Sequence, residues 1–417
     1  MNYNKIELNK ATLHIFKTTK FKKVSIDVLL TDNLDETNLS YRMLLARTIE
    51  SKCMKYDTKQ KINKKLDMLY GANFGITSIK MGKACYIDAS IDGVNPSYLN
   101  DNTLLNEYFM FLHDILFYPQ LDTKNLTEEK RLLFDDYKFE YENKATYAVI
   151  RSNRIAFKDE LARLKYNGEE EIVKKIKVTE LKDYYNYIMN NNKVDIIVCG
   201  DVDNDEIINL SKQYFDFGLK TKINPIDYED KTIEETMYVK EDAKSSQSQL
   251  VMKFRTRTRM NDDLDLALVL ANTIFGGFSS SLLFSNVREK ESLCYSISST
   301  YSRYKGCITL TAGINASDYD NALRVINEQI DAMKSGNFSD ELLEMARLNL
   351  ISSIKKGSDS LSSIAKKIYV DELLDDEFNL YSGIEELEKI TKEDVIKVFK
   401  KLELDLVYFL EGSDIDD

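Results

Sequence analysis

The chain has 417 residues, 43% of them hydrophobic, which is enough to build the cores of two domains and argues against disorder. Its formal net charge of −12 argues against general nucleic-acid binding, because such binding needs a basic surface that displaces counterions from phosphates. Length and charge together predict a two-domain globular protein without a nucleic-acid partner.

The N-terminal stretch MNYNKIELNK lacks the apolar core of a secretory signal, and apolar runs such as VDIIVCG are far shorter than the ~20 residues that span a bilayer. We therefore expect no membrane segment. The cysteines are odd in number, form no CxxC pair and often lie in apolar runs, which predicts buried free thiols in a reducing cytoplasm. They are Cys53, Cys85, Cys199, Cys294 and Cys307.

In chain order, the first informative element is the predicted helix LLARTIESKCMKY, residues 44–56. Its apolar positions fall on one side of a helical projection, so the helix should pack on a core. Glu50 is the carboxylate on this helix. It is interpreted as a catalytic base, a metal ligand or an ordinary residue at the helix edge.

The chain contains an internal repeat. A strand, a break and a long amphipathic helix occur twice, 222 residues apart, and a capped helix followed by a strand ending near Gly-Asp occurs twice, 212 residues apart. The small difference between the two offsets predicts a duplication with about ten residues of loop difference. The matched positions are Lys83 with Lys305, Cys85 with Cys307, Thr179 with Thr391, and Gly200 with Gly412.

The repeat predicts two homologous domains, residues 1–216 and 236–417, joined by a polar linker at 217–235 that contains Pro225. Alternating strands such as CYIDASID and CITLTAGI occur in neighbouring groups together with helices of about 15 residues. This order favours an α+β class, each domain being a mainly antiparallel sheet with helices packed on it.

Nucleophilic catalysis is poorly supported by the motifs. The two histidines, His14 in a strand pattern and His113 in an aromatic-rich helix, are interpreted as structural residues, and a histidine-based or cysteine-based enzyme is the least favoured alternative. The stretch FGGFSSSLLF has no lysine at P-loop spacing, so it is interpreted as a turn in which Ser279 or Ser280 caps the next helix.

The stretch VREKESLCYSISSTYS places Arg288 and Tyr295 seven residues apart across a predicted helix-to-strand turn. An arginine fork and a tyrosine hydroxyl can both donate hydrogen bonds to a peptide backbone. A surface arginine beside a half-buried tyrosine explains the same spacing equally well.

The stretch GGFSSSLLFSNVREKESLCYSISS resembles the C-terminal-domain signature of the M16 (insulinase/pitrilysin-like, mitochondrial processing peptidase-like) family. The resemblance covers nearly the whole chain, and NNNKVDIIVCGDVD resembles the segment that closes the N-terminal domain there. It implies the M16 fold, and it implies that Arg288 and Tyr295 match the pair that anchors the substrate backbone.

The family's His-x-x-Glu-His zinc motif falls on ARTIES, residues 46–51, where Glu50 matches the glutamate but Arg47 and Ser51 replace both histidines. The resemblance implies that the family's third ligand is also replaced, by Asp135 or Asp136. Arginine cannot lose its proton in a protein and serine is a poor zinc ligand, so we expect no metal and no catalytic residue in this chain.

The resemblance therefore implies a non-catalytic, substrate-binding subunit of a heterodimeric M16 zinc metallopeptidase whose partner carries the zinc and cleaves peptides in an enclosed chamber. It is strongest with inactive insulinase-like proteins of Gram-positive bacteria named for elongation factor P modification. The alternative is an inactive peptide-binding or scaffold protein, homodimeric or alone, with no protease partner.

Overall fold

The computed structural model describes residues 2–99, 101–226 and 231–413. These residues form two β-sheets with many helices packed on them, which confirms the predicted α+β class. Two compact units each contain one of the sheets. None of the helices in the described ranges is both long and apolar enough to cross a bilayer.

The first unit comprises Met1–Tyr137, Lys165–Pro225 and Gly357–Leu380. Its six-stranded sheet has the order β1-β2-β6-β3-β5-β4, antiparallel except for the parallel pair β2 and β6. The strands of this sheet are β1 (Asn2–Glu7), β2 (Thr12–Lys17), β3 (Lys23–Asn33), β4 (Asn73–Met81), β5 (Ala84–Val94) and β6 (Lys193–Gly200). The helices of the first unit are α1 (Asn38–Ser51), α2 (Lys59–Met68), α3 (Leu104–Phe117), α4 (Thr123–Glu142), α6 (Glu170–Lys175), α7 (Val178–Asn191), α8 (Asn204–Phe215) and α12 (Leu361–Leu373).

The second unit comprises Lys138–Leu164, Ile226–Lys356 and Tyr381–Asp417. Its five-stranded sheet has the order β7-β11-β8-β10-β9, antiparallel except for the parallel pair β7 and β11. The strands of this sheet are β7 (Met237–Lys244), β8 (Ser248–Arg255), β9 (Cys294–Ser302), β10 (Cys307–Ile314) and β11 (Glu403–Ser413). The α-helices of the second unit are α5 (Lys144–Ala156), α9 (Asp265–Asn272), α10 (Tyr319–Ser335), α11 (Asp340–Gly357), α13 (Ile384–Lys389) and α14 (Lys392–Lys400), and its π-helices are π1 (Thr273–Gly277) and π2 (Leu283–Lys290).

The two sheets share one topology. When the edge strand β1 is left out of the comparison, the first sheet has the order β2-β6-β3-β5-β4. This order matches β7-β11-β8-β10-β9 strand for strand, including the single parallel pair in each sheet. Cys85 and Cys307 lie at the starts of the matched strands β5 and β10, as the repeat predicts. The internal duplication is therefore present in the fold.

The compact units differ from the contiguous domains predicted at 1–216 and 236–417. The segment Lys138–Leu164, with α5, belongs to the second unit, and Gly357–Leu380, with α12, belongs to the first. The chain does pass from the first unit to the second between Pro225 and Ile226, inside the predicted linker 217–235. Residues 227–230 of that linker and residues 414–417 lie outside the described residues.

Contacts within each unit explain this assignment. On β3, Val24, Ile26 and Val28 join the main core, whereas Thr31 points to the other face and hydrogen-bonds the Tyr369 hydroxyl of α12 at 2.7 Å. In the second unit, α5 packs against β8 and β11. Both faces of the central strands β3 and β8 are therefore covered, which is why β8 is buried along its whole length.

The two repeated helices begin differently. Thr391 is the N-cap of α14, and its hydroxyl accepts a hydrogen bond from the Asp394 N–H. Its repeat partner Thr179 does not cap a helix, because Lys177 is the N-cap of α7 and Thr179 lies inside the first turn. There the carboxylate of Glu180 accepts from the Lys177 N–H at 2.9 Å.

A lysine is fully buried beneath α5. The Lys253 ammonium on β8 donates to Asn153 Oδ1 at 2.8 Å and to Thr309 Oγ1 at 2.9 Å. Burial lowers the pKa of Lys253 from its usual 10.5 to about 8. Between these two pH values the unfolded chain binds more protons than the folded protein, so stability from this group rises with pH.

We expect Lys253→Met to remove that rise. Between pH 7.5 and pH 10, the free energy of unfolding of the wild type should gain about 2 kcal/mol relative to the variant. Urea unfolding of both proteins at the two pH values measures this difference. The exposed Lys400→Met is the matched control, and parallel pH profiles of wild type and Lys253→Met would contradict the burial argument.

Candidate functional site

The degenerate motif lies in the last turns of α1, which packs against the edge strand β4. Ser51 is buried there, and its hydroxyl lies 2.8 Å from Asn125 Oδ1 and 2.9 Å from the Thr48 carbonyl. The Asn125 amide in turn donates to the carbonyls of Thr48 and Gln120. Ser51 therefore belongs to a hydrogen-bond network that ties α1 to α4.

Arg47 forms the centre of an ion cluster. Its Nη1 donates to Asp136 Oδ2 at 2.7 Å, and its Nε lies 3.8 Å from Glu129 Oε2. Glu129 is only 3% exposed and lies on α4. The ammonium of Lys59, on α2, lies 3.1 Å from the other oxygen of Glu129. Two side-chain cations thus neutralise a buried carboxylate.

This arrangement does not fit a zinc ion. A tetrahedral zinc site needs deprotonated nitrogen, sulfur or carboxylate ligands, whereas Arg47 and Lys59 offer only donors and would repel a dication. Glu129, the one buried carboxylate, is already paired with these cations. The side chains at this position therefore form an ion cluster and do not offer the ligand set of a zinc site.

Glu50 contacts the edge strand. Its Oε1 accepts from the backbone N–H of Ile76, on β4, at 3.4 Å. Burial raises the pKa of Glu50, although the Ile76 N–H and Lys59 act in the opposite direction. Among the ion pairs of the described residues, Arg47 contacts Glu129 and Asp136 and not Glu50.

The repeat supports a structural role for Glu50. Asn272 stands 222 residues further on, at the end of α9, and its Nδ2 donates to the carbonyl of Ser299 on the edge strand β9. Its Oδ1 also accepts from the Ser299 hydroxyl at 2.8 Å. In each unit, the residue at the same repeat position thus ties a helix to the edge strand of its own sheet.

The two residues predicted at the third-ligand position, Asp135 and Asp136, have different surroundings. Asp136 contacts Arg47, but Asp135 is exposed and pairs with Arg131 on its own helix. The buried carboxylate that faces α1 is Glu129, which was not among the residues predicted from the sequence. A helical-face count on α4 could have found it, since Glu129 and Asp136 are seven residues apart and therefore lie on one face.

Arg288 lies on π2, a helix type that is often found at functional sites. Its guanidinium carbon lies 4.6 Å from the ring centroid of Phe284, and its Nε lies 3.8 Å from Glu289. The side chain is 38% exposed. Arg288 also lies close enough to Cys294 to oppose the effect of burial, which raises the pKa of that thiol to about 11.

Tyr295 follows at the start of β9, against which π2 packs. It is 80% exposed, and its hydroxyl has no hydrogen-bond partner within the described part of the chain. Exposure of a tyrosine to this degree contradicts the alternative of a tyrosine half-buried in the sheet. Arg288 and Tyr295 are therefore two accessible donors on adjoining elements.

The histidines lie elsewhere. His14 is buried on β2, with Tyr3 Oη 2.8 Å from its Nδ1 and Asp195 Oδ1 3.4 Å from its Nε2. Burial acts to raise the pKa of Asp195, but the ammonium of Lys193 and His14 outweigh it and lower the pKa. His113 stacks on Phe117, with ring centroids 4.5 Å apart.

His14, Asp195 and Glu372 are close enough to share a metal ion. The ammonium of Lys193, however, lies 2.6 Å and 2.7 Å from the oxygens of Asp195 and 3.1 Å from Glu372. Lys5 lies 2.7 Å from the other oxygen of Glu372. This cluster is therefore a charge-balanced ion network.

The serine-rich stretch forms a turn between π1 and π2, as predicted, but a different serine contacts the backbone of the next helix. Ser279 and Ser280 are exposed. The buried Ser281 hydroxyl accepts from the Phe284 N–H at 3.4 Å instead. The prediction that Ser279 or Ser280 is the cap is therefore wrong.

Comparison with known sequences gives consistent matches. Residues 175–350 match the model described as the peptidase M16 inactive domain. The chain is 29% identical over 411 residues to the probable inactive metalloprotease YmfF of Bacillus subtilis, covering 97% of this chain and 96% of that protein. It is also 23% identical over 267 residues to the uncharacterized zinc protease YmxG of the same organism, covering 63% and 64% of the two chains.

Solved structures agree on the fold. A conserved protein from Enterococcus faecalis superposes with a TM-score of 0.94 at 28% identity, covering all of both chains. A peptidase M16 inactive domain from Pseudomonas fluorescens matches with a TM-score of 0.83 at 15% identity over 99% of both chains. At that lower identity the likeness concerns the fold alone.

Proposed function

We propose that this inactive M16-like protein is the non-catalytic, peptide-binding subunit of a heterodimeric zinc peptidase whose partner carries the intact zinc motif. One contrast carries the proposal. The positions that match the family's two histidine ligands hold Arg47 and Ser51, whereas Arg288 and Tyr295 remain accessible. The donors for binding a peptide are thus kept, and the ligands for cutting one are lost.

The chemistry of the pair fits a peptide backbone. A guanidinium donates two parallel hydrogen bonds to one carbonyl or carboxylate, and a phenol donates a further one. Neither group selects a particular side chain, so these contacts favour recognition of backbone over sequence. The bond-breaking step belongs to the partner, and this chain contributes binding and orientation of the peptide.

Reconstitution with a zinc-bearing M16 chain from the same genome tests the proposal. Arg288→Ala is expected to lower kcat/KM for peptide cleavage by about 10- to 150-fold, because loss of hydrogen bonds from a charged donor costs about 1.5–3 kcal/mol. Tyr295→Phe should lower it less. Arg324→Ala, an exposed arginine paired with Glu328, is the matched control and should leave cleavage unchanged.

Two outcomes would contradict the proposal. One is cleavage by the mixture that is indifferent to Arg288→Ala, and the other is metal-dependent cleavage by this chain alone. The second candidate, a homodimeric peptide-binding or scaffold protein, predicts a stable dimer by light scattering that the zinc-bearing chain does not displace. Accessible Arg288 and Tyr295 are compatible with that candidate as well.

The setting of the proposed activity is the cytoplasm. All five cysteines are buried and unpaired, which supports a reducing compartment. Elongation factor P modification is the process that the family resemblance implies. If the mass of elongation factor P is the same in a strain that lacks the gene for this chain, modification of that factor is no longer part of the proposal.

A further inference from the structure

A pocket of about 590 Å³ lies in the first unit, where β3 leads into α1 and α7 lies alongside. This volume is within the range of ~300–1,000 Å³ that small-molecule sites occupy. The described lining contains three tyrosines and two aspartates but no lysine, arginine or histidine. The pocket is thus both aromatic and acidic. These residues are Tyr41, Tyr184, Tyr187, Asp32 and Asp35.

The three rings form one cluster. The centroids of Tyr41 and Tyr184 are 5.3 Å apart, and Tyr184 stacks on Tyr187 at 6.1 Å. Tyr187 is 46% exposed, so the cluster is open to solvent. The face of an aromatic ring carries partial negative charge and attracts cations within about 6 Å. The guanidinium of Arg42 already lies 6.0 Å from the Tyr184 centroid.

The carboxylates exclude an anionic ligand. Asp35 Oδ1 accepts from the backbone N–H groups of Thr37 and Asn38 at 2.7 Å each, so these two amides at the start of α1 are already paired. Asp32 accepts from the Asn192 amide at 3.1 Å and lies 3.7 Å from the buried Arg42. Asp32 is thus balanced by Arg42, whereas Asp35 has no ion pair among the described residues, so the two lining carboxylates and this arginine together carry a net charge of about −1.

The tyrosines remain neutral at physiological pH. Burial raises the pKa of Tyr41, Tyr184 and Tyr187, and negative charge adds to this effect from Glu180 at Tyr41 and from Asp32 at Tyr187. The pocket therefore presents neutral rings beside two aspartate side chains, which is the combination that recognises ammonium groups.

We infer that this pocket binds an organic cation, either the ammonium group of a lysine side chain or a small ammonium compound. The rings supply the cation–π attraction, and Asp35 supplies the counter-charge. The site is independent of Arg288 and Tyr295, which lie in the other compact unit, so its failure would not affect the proposed peptidase-subunit function.

Titration of the whole chain with small probes, followed by calorimetry or NMR, tests the inference. Choline represents the small ammonium compounds and Nα-acetyl-lysine amide represents the lysine side chain. At least one is expected to bind with a millimolar dissociation constant. The neutral isostere of choline, in which carbon replaces nitrogen, and the Nε-acetylated lysine amide should bind at least ten-fold more weakly.

Variants locate the binding. Tyr187→Leu is expected to weaken it at least five-fold, whereas Tyr187→Phe retains the ring and most of the affinity. Tyr70→Leu, a similarly exposed tyrosine outside the pocket, is the control and should bind as the wild type does. If only one of the two cationic probes binds, its identity shows whether the pocket takes a lysine side chain or a small ammonium compound. Equal binding of a cation and its neutral isostere, or no binding of either cation, would overturn the inference.

Discussion

Arg255→Ala is expected to destabilise the second unit by about 3–5 kcal/mol, the largest effect of any single substitution considered. Arg255 is only 5% exposed on β8. Its guanidinium donates to both oxygens of Glu160, at 2.9 Å and 2.7 Å, and to Asp405 at 2.8 Å. Removal of this cation leaves two buried carboxylates without their counter-charge.

Urea unfolding of the wild type and the variant at pH 7.5 measures this loss. Arg324→Ala removes an exposed arginine and should change stability by less than about 0.5 kcal/mol. A deficit below about 1 kcal/mol for Arg255→Ala would contradict the argument.

The double variant Arg47→His/Ser51→His is expected to bind one equivalent of zinc, which the parent chain should not bind. The two positions lie four residues apart on one face of α1, and Glu129 already faces Arg47 from α4. The substitutions would supply two imidazoles and free that carboxylate from the guanidinium. Two histidines and a glutamate with an open fourth position form a common zinc site.

Matched variants separate ligation from charge. Arg47→His alone lacks one ligand and should bind zinc much more weakly. Addition of Lys59→Gln to the double variant should tighten binding further, because the ammonium 3.1 Å from Glu129 is removed. Metal content after dialysis and a zinc-dependent rise in Tm measure the outcome. A folded double variant that binds no zinc would show that Glu129 does not face the introduced pair.

Much of the fold could be predicted because its signals are local. Alternation in CYIDASID and CITLTAGI predicted strands that the structure has as β5 and β10, and the spacing of the repeat anticipated two sheets of one topology. The residue at which a helix begins is harder to predict from sequence, since it depends on one or two capping hydrogen bonds. Thr391 makes them and Thr179 does not.

The candidate site was predictable in its chemistry but not in its geometry. That Arg47 and Ser51 cannot hold zinc follows from their residue types alone. That Glu129 supplies the buried counter-charge depends on how α4 lies against α1, which involves residues 82 positions apart in the chain. Similarly, only packing shows that Tyr295 is exposed.

Residue type and periodicity alone predict the α+β class and the duplication, since each depends on neighbours in the chain, and the resemblance to the M16 family implies the loss of the zinc ligands. The tertiary structure assigns α5 and α12 to their sheets and gathers Tyr41, Tyr184 and Tyr187 around one acidic pocket. An amphipathic helix specifies which of its faces is buried but not which sheet buries it. That choice depends on complementary packing between segments distant in sequence, which no local pattern encodes.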